Sequence, residues 1–144
     1  MPDLAGCSLT LEPLPSAADV EAIRAGLHAF NASRVGADAH QPLTLFLRAP
    51  DGRLLGGLLG DTYWGWLSVG ILWLEESARG AGHGSRLLAA AEAEARRRGC
   101  HHAHVDTMSF QALPFYEKRG YRVWGELRDL PRGYSRIFLA KTLE

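Results

Sequence analysis

The chain has 144 residues, and its 16 lysines plus arginines are matched by 16 aspartates plus glutamates, so its formal net charge is zero. That length suits one domain with a real core rather than two, and the neutral balance offers no global field to nucleic acid or to an anionic membrane. Cys7 and Cys100 lie too far apart in sequence for metal or redox spacing, so free thiols in a reducing compartment are the better reading.

Met1-Pro2-Asp3-Leu4 lacks the basic flank and apolar run of a leader, and later apolar stretches are broken by glycine or charge. The expectation is a soluble, cytoplasmic protein without a membrane partner. Cys7 to Leu11 alternates and predicts a short edge strand. Ser16 followed by Asp19 makes a weak capping box that opens a helix with Val20, Ile23, Leu27 and Phe30 on one face. From Asn31 to Gln41 no period is clear.

Leu43 to Arg48 and Leu54 to Gly60 read as a hairpin joined through Ala49-Pro50-Asp51-Gly52-Arg53. Gly56, Gly57 and Gly60 weaken the second strand and point to close backbone approach by a neighbour. Asp61-Thr62 reads as the next turn. Tyr63 to Leu74 follows as a strand whose second half, from Leu67, is apolar on both faces and therefore central. Gly70 interrupts it as a candidate β-bulge. Trp73 reads as core, whereas Trp64 and Trp66 share a face and could line a pocket.

Arg79-Gly80-Ala81-Gly82-His83-Gly84-Ser85 then leads into a helix from about His83 to Arg98. Glycines at alternate positions let backbone N–H groups turn toward a ligand, and the helix adds the positive end of its dipole. Together they describe a phosphate or pyrophosphate site. Leu87, Leu88, Ala91 and Ala95 form a buried stripe, with Glu92 to Arg96 and Glu94 to Arg98 as pairs on the wet side. Arg96, Arg97 and Arg98 complement the helix C-terminus and Gly99 ends it, so the basic run needs no nucleic acid to explain it. No lysine follows the glycines as a P-loop requires, and Ser85 stands where a dinucleotide fingerprint needs its third glycine.

His101 to Met108 is the next strand, with Ala103, Val105 and Thr107 on one face and His102, His104, Asp106 and Met108 on the other. A linear array of this kind does not converge on a metal. Gln111 to Arg119 forms a short helix ending at Gly120, and Tyr121 to Leu127 and Tyr134 to Thr142 are the final strands. The order of elements describes a mixed α/β sandwich, not a doubly wound sheet.

Arg79-x-x-Gly82-x-Gly84, preceded by Ile71-Leu72-Trp73-Leu74 and followed by Phe115-Tyr116-Glu117-Lys118-Arg119-Gly120-Tyr121, resembles the GNAT superfamily of acyl-CoA-dependent N-acyltransferases from about Leu54 to the C-terminus. The resemblance implies one domain over residues 1–144, with a mostly antiparallel central sheet flanked by helices and splayed at its two central parallel strands. It implies acetyl-CoA as co-substrate, its pyrophosphate held by Gly80, Ala81, Gly82, His83, Gly84 and Ser85, with Arg79 adding charge or bracing the loop. Leu72 and Leu74 would offer backbone groups to the pantetheine arm, and the Leu72 N–H would face the oxyanion. Tyr116 falls where the family places the acid for the departing thiolate; packing of Phe115 and Tyr116 as a helix face is the competing reading. Ser109, seven residues before Tyr116, replaces the asparagine that often opens this motif and keeps a cofactor-binding hydroxyl.

The resemblance further implies transfer of acetyl to a primary amine in a ternary complex, the acceptor being a small molecule or a peptide or protein amine, and it assigns no metal. The segment from Asn31 to Gln41 would help to cover the acceptor. No carboxylate lies between Tyr63 and Leu74, so the base is open among Glu75, Glu76, Asp61, His104, Asp106 and a water chain. A covalent route through Cys100 is less attractive. Two alternatives stay open: a non-catalytic acyl-CoA sensor and an unrelated nucleotide-phosphate binder. By analogy the chain could pair as a homodimer through its final strands.

Overall fold

The computed structural model describes residues 4–144, so the first three residues of the stretch read as lacking a leader lie outside the described residues. The chain divides into two compact units, Met1–Asp38 and Ala39–Glu144.

The first unit holds α1 (Ala17–Val35). Ser16 caps it as the sequence predicts, its hydroxyl accepting the Asp19 N–H at 3.1 Å. The helix continues past Phe30, where the apolar period fades, because nothing breaks it before Gly36, whose φ of 81° ends it with an N–H bond to the Ala32 carbonyl. The strand expected at Cys7 to Leu11 is absent, since this unit holds no second described strand with which to form a ladder. A lone strand would leave its backbone groups unpaired.

The second unit is one six-stranded sheet: β1 (Gln41–Arg48), β2 (Leu54–Tyr63), β3 (Trp66–Leu74), β4 (His102–Met108), β5 (Arg122–Arg128) and β6 (Ser135–Thr142). Its order is β1-β2-β3-β4-β6-β5, and every neighbouring pair is antiparallel except β3 with β4. The expected hairpin between β1 and β2 forms, and Gly52 takes φ 89° in its turn. The next turn is Trp64-Gly65 rather than Asp61-Thr62. Both turn residues have positive φ, as a two-residue primed turn demands, so Asp61 and Thr62 stay in the ladder and Tyr63 closes β2. Gly56, Gly57 and Gly60 are required by neighbours: a Cβ on them would sit 2.3, 2.3 and 2.4 Å from the carbonyl oxygens of Trp73, Leu45 and Ser68.

One face of the sheet is covered by α2 (His83–Arg97) and α3 (Leu113–Glu117), through Leu87, Leu88, Ala91, Ala95 and Tyr116. These meet Leu43, Leu58, Leu67, Val69, Ala103, Val105 and Leu139 in a single cluster. Glu92 is buried, not on the wet side as its pairing with Arg96 suggested. It lies on the stripe of Leu88 and Ala95, and its carboxylate is satisfied by the Tyr121 hydroxyl and by Lys141 Nζ, each at 2.8 Å. Glu94 does sit at the surface, where Arg97 and Arg98 hold its carboxyl down at about 2. Trp73 is 53% exposed and not core, because it alternates with Leu72 and Leu74 onto the face opposite α2.

Candidate active site

The site begins with a bulge. β2 pairs Leu59 with Ile71 and Gly60 with Val69, so Gly70 is the extra residue in β3. β3 and β4 are in register only from Trp66 and His102 to Val69 and Val105. Beyond that point they part. The gap becomes a cleft of about 590 Å³ whose lining includes Gly70, Leu72, Leu74, Arg79, Asp106 and Tyr116.

The backbone of β3 is exposed along this cleft for a simple reason. The Glu75 N–H donates to the Leu55 carbonyl at 2.8 Å; by the alternation of antiparallel pairing, Ile71 and Trp73 also turn their polar groups to β2, and Leu72 and Leu74 turn theirs to the gap. The Leu74 carbonyl accordingly accepts from Arg79 Nε at 2.9 Å. Arg79 is thus a brace between loop and strand.

Gly80 and Gly82 take φ values of 78° and 84°, and a Cβ on either would meet nothing within 4 Å. The backbone conformation calls for glycine, and the space beside it is open to a ligand. Gly82 is the N-cap of α2, and the N–H groups of His83, Gly84 and Ser85 are the unpaired donors of the first turn. Such a turn, beside the mouth of an elongated cleft, suits a phosphate. Ser85 also accepts from Arg119 Nε at 3.1 Å through its hydroxyl, while the guanidinium lies 3.9 Å from the centre of the Phe115 ring. Arg119 therefore fixes a positive charge beside this turn. Its place immediately before Gly120 is the signal for it in the sequence.

Tyr116 is buried against the core and also lines the cleft. Burial, and secondarily the Asp106 carboxylate, push its hydroxyl up to about 12. Ser109 is not brought to the cleft lining. Its hydroxyl accepts the Ser135 N–H at 3.0 Å and its N–H donates to the Ser135 carbonyl at 2.8 Å, closing the β4–β6 end.

The candidate bases separate on geometry. Glu75 receives Ser77 and Arg53, and those hydrogen bonds, Ser77's first, hold its carboxyl below the usual range. Asp61 pairs with His40 at 2.8 Å. His104 lies edge-on to Trp66 on the face away from α2. Asp106, bonded to Arg136 Nε at 2.9 Å, is the member of the set that lines the cleft. Cys100 is buried and desolvation raises its thiol, which removes a ready nucleophile.

Comparison with known proteins agrees with this geometry. Residues 11–121 match the acetyltransferase (GNAT) family. An Agrobacterium fabrum protein, acetyltransferase Atu2258, is 43% identical over 131 residues, 89% of this chain and 96% of that one. Blasticidin-S acetyltransferase of Streptomyces morookaense is 48% identical over 93 residues, 64% of this chain and 68% of that one. The crystal structure of an acetyltransferase from Bacillus cereus superposes with a TM-score of 0.84 at 32% identity, covering 93% of this chain and 98% of that one. Among the described residues, no helix is long and apolar enough to cross a membrane.

Proposed function

Because the chain belongs to the acetyltransferase (GNAT) family, we propose that it is one N-acetyltransferase domain that moves the acetyl group of acetyl-CoA to the primary amine of a small molecule in a ternary complex. The observation that carries this reading is the parting of β3 from β4 at Gly70, which turns the backbone of Leu72 and Leu74 into a cleft with Tyr116 on its wall and Arg79 at its mouth.

Acetyl-CoA supplies an activated thioester. Gly80 to Ser85 hold its pyrophosphate through backbone N–H groups, with Arg119 adding charge, and Leu72 and Leu74 bind the pantetheine arm as a neighbouring strand would. The Leu72 N–H donates to the carbonyl oxygen of the acetyl group. Asp106 takes the proton that the amine must lose and releases it to solvent. Tyr116, protonated throughout the neutral range, donates its proton to the departing sulfur and recovers one from solvent. The relative named for blasticidin-S supports a small-molecule acceptor. A cytoplasmic location and pairing of two copies through the β5–β6 end complete the proposal.

Calorimetric titration with acetyl-CoA, CoA and ATP tests it, repeated on a variant with Gly82 and Gly84 changed to valine. Selective CoA-type binding that disappears in the variant is expected; no CoA binding by the native chain would overturn the reading.

A further inference from the structure

A second cavity, of about 650 Å³, lies on the sheet face opposite α2, lined by Tyr63, Trp64, Trp66, His104, Trp124 and Ala140. Five of these six carry flat rings and none carries a carboxylate. We infer that this slot receives a planar ring of the acceptor, so that the substrate class is a primary amine held on an aromatic or heteroaromatic ring by a short tether. The inference rests on the acyltransferase reading above and gives that site its specificity.

The slot is built by strand order and by alternation along β5. β6 lies between β4 and β5, and Ala140 of β6 is directly paired with His104. His104 and Trp124 therefore rise from strands about 10 Å apart, with only a methyl group on the floor between them. That separation leaves room for one ring. Trp124 lies on this face by alternation, since Arg122 pairs with Ala140 and Val123 with the buried Leu139; the register shift between Val123 and Gly125 makes it the bulged residue, and its ring is 5.4 Å from that of Phe138. Trp66 is already stacked on His102, with centroids 4.6 Å apart, so the wall on the β3–β4 side is braced. The exposed Trp124, 67% accessible, has an aromatic face to offer.

The position of the slot sets the tether. His104 stands one residue before Val105, where β3 and β4 cease to pair, and two before Asp106, which lines the cleft. At a rise of about 3.3 Å per residue, a ring at His104 and an amine at the opening of the gap are roughly 4–7 Å apart. Two to four bonds span that distance. The absence of a carboxylate in the slot also disfavours a second ammonium group there, which separates ring-bearing monoamines from polyamines.

The test is an acetyl-CoA-dependent assay on amines matched in chain length, phenethylamine and tryptamine against butylamine, hexylamine and spermidine. The native protein is expected to favour the ring amines at least tenfold in kcat/KM. Ala140→Leu fills the floor and should collapse that ratio toward one, and Trp124→Ala, a change at an exposed side chain, should raise KM for the ring amines several-fold. Coenzyme titration of both variants confirms that the cleft persists. Equal rates for ring and alkyl amines, or a ratio unmoved by Ala140→Leu, would overturn the inference while leaving the acyltransferase reading intact. Turnover of none of the amines by a protein that also fails to bind CoA would instead overturn that reading, and this inference with it.

Discussion

Arg79 Nε and the carbonyl oxygen of Leu74 are 2.9 Å apart, which bolts the first residue of the glycine loop to the last residue of the splayed strand. If the guanidinium works chiefly as this brace, Arg79→Ala should weaken acetyl-CoA binding by about tenfold, since a charge-assisted hydrogen bond contributes about 1.5–3 kcal/mol and only part is lost from an exposed site. The salt dependence of binding should stay close to native. A markedly flatter salt dependence in the variant would instead make Arg79 a phosphate ligand.

Removing Gly70 offers a direct test of the cleft. Its deletion lets Val69 pair with Gly60 and Ile71 with Leu59 in unbroken antiparallel register. The fold should survive, because side chains on both sides of the deletion keep their faces. Acetyl-CoA affinity should drop at least tenfold as the gap narrows, read by titration calorimetry alongside thermal unfolding.

Tyr116 predicts a pH dependence of stability. Its hydroxyl is raised from about 10 to about 12 in the folded chain, chiefly by burial. The sign follows: the contribution is fully present below pH 10, where folded and unfolded chains both hold the proton, and is lost as pH rises from 10 through 12. It amounts to about 2–3 kcal/mol. Tyr121 is raised too, by burial and then by Glu92, and acts in the same direction. Urea denaturation at pH 9 and pH 11.5 should show the loss, and Tyr116→Phe should reduce it. In the reaction, Tyr116→Phe should lower kcat with little effect on acetyl-CoA binding.

The buried carboxylate of Glu92 makes the strongest stability prediction. Lys141→Met removes a donor from it and should cost about 3 kcal/mol, within the range for breaking a buried pair. Glu92→Gln keeps a partner for Tyr121 and should cost less. Denaturant midpoints of the two variants decide the order.

Much of the fold was legible because local chemistry agreed with tertiary need. The turn at Pro50-Asp51-Gly52, the stripe from Leu87 to Ala95, and the glycine at 70 each carry their structural instruction within a few residues. The misreadings arose where the instruction lies elsewhere. Glu92 looks solvent-facing until Lys141, far along the chain, supplies its partner. Trp73 looks like core because its strand is apolar throughout, and only the placement of α2 and α3 shows which face is covered. Trp64-Gly65 does not look like a turn because tryptophan rarely takes positive φ, here 47°, whereas Asp61 is a common turn residue held here in a ladder. In the site, the open turn at Gly80 and Gly82 is written in the alternate glycines themselves, whereas the backbone of Leu72 and Leu74 is marked only by the family resemblance. Arg119 is marked only by its place before Gly120, and of the aromatic slot the sequence marks only Trp64 and Trp66, since His104, Trp124 and Ala140 join them from strands distant in sequence.

Four residue pairs are the whole seam between β3 and β4. The sheet of the second unit is therefore two three-stranded ribbons stitched along a short edge, and beyond Val69 the next rungs of the ladder are missing. A coenzyme arm lying there, as proposed, would supply rungs that the protein leaves out and so serve as scaffolding as well as reactant. Amide exchange in β3 and β4 past the seam should consequently slow on coenzyme binding, while the β1–β2 hairpin, already complete, keeps its own pace.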